Sequence, residues 1–267
     1  MVDKTAIFVH NAGMERRTRR FVFYIFLGLF LVISYLMAVY AFGYRYDFIE
    51  NKFVKTGSLQ FKANVSADVY IDDRFAGRTS FLNNVFSETR FLPRSYSVRL
   101  QDPDYQIWQK TAAVSAGLVI DFPKIILLPK NFTEETVSSK SFVPAFPENK
   151  PESNKPINSP DSDKEAWFNE REIWVKWRKN TSYQPFKKSG DTELITRYSQ
   201  LVNDVQWYKD SDHLIADVGG ILKFIEIDTR GGINSYDLGP VSGRFYYDEG
   251  ENVIYKLNDN QLVKVQL

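Results

Sequence analysis

His10 and His213 are the only imidazoles in the chain, and cysteine is absent. Thiolate catalysis, zinc–thiolate centres and disulfides are therefore excluded. A serine hydrolase would need a base and an oxyanion loop, and no Gly-x-Ser-x-Gly elbow is present. His213 falls at a predicted turn, where an exposed turn residue is the expectation. Carboxylates are plentiful, and a glycosidase needs two of them about 5–9 Å apart across a cleft. The nearest pairs are Asp72 with Asp73 and Asp102 with Asp104. Both pairs lie at predicted turns, where aspartate is favoured for backbone reasons. Asp210-Ser211-Asp212 lacks the spacing and terminal glutamate of an EF-hand and reads as a solvated turn. No glycine-rich phosphate loop occurs. The chemistry points to a protein that is not an enzyme, with no cofactor and no metal.

Aromatic residues give a different signal. The last third of the chain carries Trp167, Trp174, Trp177 and Trp207 among many tyrosines. Flat aromatic faces are platforms for sugar rings and for protein partners. Trp167, Trp174, Tyr208 and Tyr236 are the candidate partner or glycan contacts, although packing between β repeats is the favoured use for the tryptophans.

The elements that must position these residues begin with a membrane segment. Residues 21–44 carry no charge, and Arg16, Arg17, Arg19 and Arg20 stand immediately before them. About twenty apolar residues cross a hydrocarbon core of about 30 Å. The segment is longer than a signal-peptide core and has no small-x-small cleavage site, so an uncleaved signal-anchor is expected over a cleaved signal. The arginines predict a cytoplasmic stub, residues 1–20, with everything from residue 45 outside the cell membrane. A net charge of +1 gives no reason to expect nucleic acid.

Residues 45–56 read as a juxtamembrane connector. Residues 57–128 alternate in period two, as in Leu59 and Phe61, Val69 and Ile71, and Tyr96, Val98 and Leu100. Asp72-Asp73 and Ala116-Gly117 are expected turns. Residues 129–166 hold six of the eleven prolines among Ser, Glu, Lys and Asn, and predict a flexible spacer between two independent domains. Residues 167–267 return to β patterning, with turn signals at an interval of about eight to twelve residues.

The first β unit resembles the PEGA domain. The likeness rests on Gly57-Ser58-Leu59-Gln60-Phe61, on Ala67 through Thr79, on Tyr96-Ser97-Val98-Arg99-Leu100 and on Asp104-Tyr105-Gln106-Ile107-Trp108. It departs from the family at Val65-Ser66-Ala67-Asp68, which stands where that family has Pro-Glu-Gly-Ala, and at Asp73 and Ser80. The resemblance implies a small, non-catalytic β sandwich that works outside the cytoplasm. The C-terminal region is similar to TolB-like and WD40-like β-propeller repeats. This likeness rests on Trp207 through Ile215, Ile225 through Gly232, and Gly243 through Asp248 with Asn252 through Tyr255. It implies two blades, or two and a half, at about 40–45 residues each. The combined pattern resembles PEGA-domain surface proteins of bacteria, including small-genome candidate phyla.

The fold class expected is all-β ectodomains behind one N-terminal transmembrane helix. The function expected is extracytoplasmic binding or scaffolding, with the lipid bilayer and envelope polysaccharide or a surface protein as partners. One alternative is a membrane-complex subunit whose incomplete propeller pairs with another chain. A second is a glycan-acting enzyme. Oligomeric state stays open at this level.

Overall fold

The computed structural model describes residues 15–137, 152–258 and 261–267. They divide into two units, one ending at Lys55 and the other starting at Thr56.

The first unit opens with helix α1, Arg16–Ala41, none of whose residues is buried. At 26 residues it is about 39 Å long, and it is long and apolar enough to cross a membrane. It starts earlier than the uncharged run because arginine is a good helix former, so the helix continues through the basic residues. It ends where Gly43 takes a φ of 81°, the usual stop signal of a left-handed C′ residue. Residues 45–56, expected as a connector, instead form most of a hairpin of β1 (Tyr44–Asp47) and β2 (Lys52–Lys55). Asp47 Oδ1 accepts the Ile49 amide at 2.8 Å and shapes its turn. Tyr46 packs edge-on against Phe48 and Phe53, while Phe48 and Ile49 remain exposed at the tip.

The second unit begins with seven strands: β3 (Gly57–Ala63), β4 (Asp68–Ile71), β5 (Arg74–Arg78), β6 (Val85–Phe91), β7 (Ser95–Gln101), β8 (Trp108–Ala113) and β9 (Val119–Ile125). They form a three-stranded sheet in the order β6-β3-β9 and a four-stranded sheet in the order β5-β4-β7-β8. Strands β3 and β9 run parallel, and the other pairs are antiparallel. The alternating residues do what period two dictates. Leu59 and Phe61 of one sheet meet Val69, Val98, Leu100 and Trp108 of the other in a single core. Asp72 and Asp73 take φ of 48° and 60°, the two left-handed residues that a tight hairpin requires.

The rest of the described residues build three further four-stranded sheets. Their strands are β10 (Glu134–Thr136), β11 (Ile157–Asn158), β12 (Lys164–Asn169), β13 (Glu172–Trp177), β14 (Thr192–Arg197), β15 (Val202–Trp207), β16 (His213–Val218), β17 (Ile221–Glu226), β18 (Ser235–Pro240), β19 (Phe245–Asp248), β20 (Val253–Asn258) and β21 (Gln261–Gln266). The sheet orders are β11-β12-β13-β14, β15-β16-β17-β18 and β10-β21-β20-β19. All are antiparallel, the first two as simple meanders, and we number them blades one to three. One core joins blade one to blade two through Phe168, Val175, Trp207 and Ile225, among others. A second joins blade two to blade three through Phe224, Leu238, Tyr247 and Val265. The fourth strand of blade three comes from upstream, where β10 pairs with β21.

This arrangement corrects the expected spacer and the expected blade count. Strands β10 and β11 and the start of β12 all lie inside 129–166, so three blades are present rather than two or two and a half. The first two strands are too short to show alternation; β10 forms because the distant β21 completes its hydrogen bonds, and β11 because it turns directly into β12. Residues 138–151 of that stretch lie outside the described residues.

The two β regions of this unit are also in direct contact, which corrects the reading of independent domains on a tether. Trp108 Nε1 donates to Glu226 Oε2 at 3.1 Å, and Lys110 Nζ lies 3.2 Å from Glu226 Oε1. Arg230 donates to the Gln184 side chain and the Asp121 carbonyl, each at 2.8 Å, with its guanidinium 4.4 Å from the Phe122 ring centroid. Ion pairs and backbone bonds of this kind hold β8 and β9 against blades one and two.

Candidate interaction surface

Strands β12 and β13 place Trp167 directly opposite Trp174. The two indoles lie 7° from parallel with centroids 6.3 Å apart. Alternation explains which way they face. Ala166, Phe168, Ile173 and Val175 point into the core shared with blade two, so their neighbours must occupy the other side of the sheet. Leu194 of β14 stands beside Trp174 on that side. None of these three side chains belongs to a buried core cluster.

Charged residues fix Trp174 in place. Trp174 Nε1 donates to Glu172 Oε2 at 2.9 Å, and Arg197 Nε donates to the other carboxylate oxygen at 2.7 Å. Those hydrogen bonds, the indole first and then the guanidinium, hold the Glu172 carboxyl below the usual carboxylate range. At the end of this face is a cavity of about 500 Å³ lined by polar residues, among them Asn154, Asn169, Arg171 and Arg197.

The far side of blade three differs in its burial. Phe245 and Tyr247 point toward blade two, which leaves Tyr246 and Asp248 on the opposite face. There Tyr246 pairs with Tyr255 and Leu257 with Leu262. On that face Val253 and Tyr255 are buried, so it is enclosed, whereas among the described residues no core cluster covers the outward face of blade one.

Of the candidate contacts read from the sequence, Trp167 and Trp174 come together on the free face. Tyr208 does not join them. It is 6% exposed and packs between Phe224 and Tyr247 at the junction of blades two and three. Tyr236 is also spent on structure, since its hydroxyl donates to the Ile107 carbonyl at 3.0 Å across the contact between the two β regions. In both cases burial pushes the phenol pKa up, to about 12 for Tyr208. Arg16, Arg17, Arg19 and Arg20 occupy the first turns of α1 and are exposed.

His213 overturns its expected exposure. It is 2% exposed, stacks on Phe224 at 4.9 Å, and its Nδ1 lies 2.7 Å from Asp210 Oδ2. A histidine–aspartate couple is therefore present, but the ring is enclosed by Phe224 and Tyr208 and offers no face to a substrate. The aspartate pairs are turn residues. Asp72 Oδ1 accepts the Ser97 amide, and Asp102 Oδ1 accepts the Asp104 amide. Among the described residues, no group of three or more His, Cys, Asp or Glu side chains could hold a metal ion.

The polar group that sequence reasoning missed is the junction of Lys110, Glu226 and Asp228. Lys110 shares the face of Trp108 and Ala112 by period-two alternation, which was the available signal. The lysine side chain is wholly buried, and its Nζ also donates to the Asp228 carbonyl.

No family model matches the chain, and no curated protein matches it significantly. The chain is similar to one chain of a Mitotic Checkpoint Complex crystal structure, at 15% identity and a TM-score of 0.29, over 48% of this chain and 44% of that one. It is also similar to Kluyveromyces lactis Hsv2 with complete loop 6CD, at 12% identity and a TM-score of 0.30, over 66% of each chain. A further structure of Kluyveromyces lactis Hsv2 gives 13% identity and a TM-score of 0.31, over 68% of this chain and 69% of that one. The chain thus spans less than half of the first structure and about two thirds of the second.

Proposed function

We infer that this chain is a membrane-anchored, extracytoplasmic, non-catalytic binding or scaffolding protein whose contact surface is the free face of blade one. The observation that carries this reading is the Trp167–Trp174 pair. It is a stacked aromatic surface, Trp174 is held by Glu172 and Arg197, and neither indole belongs to a core cluster of the described residues. The basic first turns of α1 support an inward N-terminus under the positive-inside rule. The aromatic hairpin that follows α1 suits the interfacial belt of a bilayer. The PEGA-like pattern of residues 57–128 supports an outward location for the β regions.

A protein surface is the ligand class favoured. The free face carries an aromatic and aliphatic patch of Trp167, Trp174 and Leu194 bordered by the charged residues Glu172, Arg197, Glu165 and Arg178. Interfaces of that composition bind through buried aromatic anchors. The neighbouring polar cavity favours a second reading, an envelope glycan stacked on the indoles with its hydroxyls held by Asn154, Asn169 and Arg171.

The test is retention of detergent-solubilised full chain on envelope from the source cells, intact and stripped of protein. Retention on intact envelope alone, lost in Trp174→Glu, supports the protein reading. Retention on stripped envelope, lost in the same variant, moves the assignment to glycan. Retention that Trp174→Glu leaves unchanged removes this face from the function.

A further inference from the structure

The second unit carries exposed apolar side chains at the place where the chain enters it. Leu118 is 57% exposed, Val119 49% and Phe186 70%, and none belongs to a core cluster. Leu118 directly follows the Ala116-Gly117 turn, a position that polar residues usually fill. That turn is tied to the first residues of the unit. The Gly117 amide donates to the Thr56 carbonyl at 3.1 Å, and the Ser58 amide donates to the Leu118 carbonyl at 2.9 Å. Val119 stands opposite Ser58 across the parallel pair of β3 and β9.

Phe186 is brought to the same edge by its loop. Gln184 Nε2 donates to the Val119 carbonyl at 2.7 Å, and Gln184 Oε1 accepts the Asp121 amide at 3.1 Å. The glutamine thus caps β9, which is the outer strand of its sheet. Thr181 Oγ1 donates to the Pro185 carbonyl at 2.9 Å and accepts the Lys187 amide at 2.7 Å. Both neighbours of Phe186 are therefore tied back, and the ring stands at the apex.

Covalent connection fixes what lies near this patch. In the preceding hairpin Lys55 pairs with Tyr44, and Tyr44 follows α1 after only Phe42 and Gly43. The hairpin therefore returns the chain to the helix end before Thr56 begins. With α1 in a bilayer, Thr56 and the turn bonded to it start at the membrane surface.

We propose that Leu118, Val119 and Phe186 form a second membrane contact, seated at the boundary between headgroups and acyl chains of the bilayer that holds α1. This rests on the reading of α1 as a membrane anchor. Apolar side chains on a polar surface bury themselves at that boundary, and an exposed apolar cluster on a folded domain marks a contact site. Three side chains suffice because the anchor confines them next to the lipid. The charges around them are of both signs, Arg90, Arg94 and Lys188 with Asp72 and Asp191. Such a rim suits a headgroup layer, which carries phosphate and amine groups together.

The opposite end of the same sandwich supplies the comparison. Leu82 is 88% exposed there, beyond the end of β3 where the Ala63 amide donates to the Asn84 carbonyl at 3.1 Å. Because the chain has no cysteine, Leu118→Cys, Leu82→Cys and Ile33→Cys can each carry a single bimane. The labelled full chain is placed in nanodiscs of phosphatidylcholine and phosphatidylglycerol, with nitroxide lipids that quench near the headgroup or deep in the core. The expected result is deep quenching at position 33, and shallow quenching several-fold stronger at 118 than at 82. Phe186→Asp should abolish the quenching at 118 and leave the melting temperature unchanged, since that ring is exposed. Quenching at 33 without quenching at 118 overturns the patch and leaves the anchor standing. No quenching at 33 removes the anchor, and this contact with it. Equal quenching at 118 and 82, or quenching at 118 that Phe186→Asp leaves intact, overturns the assignment to this patch. A label at 118 that is shielded from water but not quenched by lipid overturns the bilayer contact in favour of a second copy of the chain.

Discussion

Lys110 and Glu226 form an ion pair across the contact between the first β region and blade two, Nζ to Oε1 at 3.2 Å, with the lysine side chain entirely out of solvent. Glu226 Oε2 takes further hydrogen bonds from Trp108 at 3.1 Å and Asn234 at 2.9 Å. Every oxygen of the carboxylate therefore has a partner. Burial pushes the Glu226 carboxyl above its ordinary range, and Lys110 pulls it part of the way back. The pair joins strand β8 to the end of β17, regions that the sequence separates by more than a hundred residues.

Removing one partner leaves the other buried and unmatched, which in such pairs costs about 3–5 kcal/mol. Lys110→Met should lower the stability of the full chain by an amount of that order, measured by denaturant titration in detergent. The loss should shrink toward acid pH, where Glu226 takes up a proton. Replacing both residues, Lys110→Met with Glu226→Leu, should recover most of the loss. A double variant as unstable as the single would show that the pair is not what holds the contact.

Gly231 makes the same contact at closer range. Its φ is 65°, and a Cβ placed there would lie 2.0 Å from the Thr111 carbonyl oxygen. The Thr111 amide donates to the Gly231 carbonyl at 3.0 Å. Gly231→Ala must therefore strain the backbone and push β8 away. A loss of about 2 kcal/mol or more is expected. Gly232→Ala is the comparison, because that position opens on free space and carries only the strain of a φ of 116°. Equal losses from the two variants would remove the steric explanation.

Much of the fold was legible because alternation survives into the structure. Tyr96, Val98 and Leu100 face one core, and Ile173, Val175 and Trp177 face another. The turns at Asp72-Asp73 and Gly117 follow from residues that tolerate positive φ. Strands β10 and β11 were hidden because three and two residues cannot show a period. β10 is stabilised by β21, a distant partner that no local pattern predicts, and β11 by the adjacent β12. His213 was misread because Asp210 and Asp212 look like turn residues, while Phe224, which buries it, lies on the neighbouring strand. Of the four aromatic candidates, only Trp167 and Trp174 reached the free face. Sequence alone cannot tell an outward Trp174 from an inward Trp177 until the partner sheet is known.

The His213–Asp210 couple makes stability depend on pH. Burial works against a charged imidazole, but the Asp210 carboxylate outweighs it through its charge and its hydrogen bond, with Glu226 and Asp212 adding to the effect. The His213 pKa is therefore raised above its ordinary 6.5. The native state binds that proton more tightly than the unfolded chain. The resulting stabilisation is complete below the ordinary value and disappears as pH rises through the raised one. Asp210 behaves in the opposite sense. Burial raises it, but the His213 charge and hydrogen bond bring it below its ordinary 3.8, so its contribution is lost only as pH falls through that lowered value. Tyr208, pushed up to about 12, stays protonated throughout. The melting temperature should fall as pH is raised from about 6 to 9, and His213→Gln should flatten that dependence. The same slope in wild type and variant would assign the effect to other groups.

Topology is the last prediction, and the absence of cysteine makes it directly testable. Helix α1 carries Arg16, Arg17, Arg19 and Arg20 at one end and the Tyr44–Lys55 hairpin beyond the other. If the basic end stays in the cytoplasm, a cysteine placed at the exposed Ser189 should react with a membrane-impermeant maleimide on intact cells. A cysteine at Thr5 should react only after the cells are opened. Replacing the four arginines with asparagine removes the charges that retain this end. Labelling at Ser189 in intact cells should then fall by several-fold as part of the population inserts the other way. Labelling of the cysteine at position 5 in intact cells, with the four arginines kept, would reverse the orientation, and with it the proposed extracytoplasmic placement of the tryptophan face.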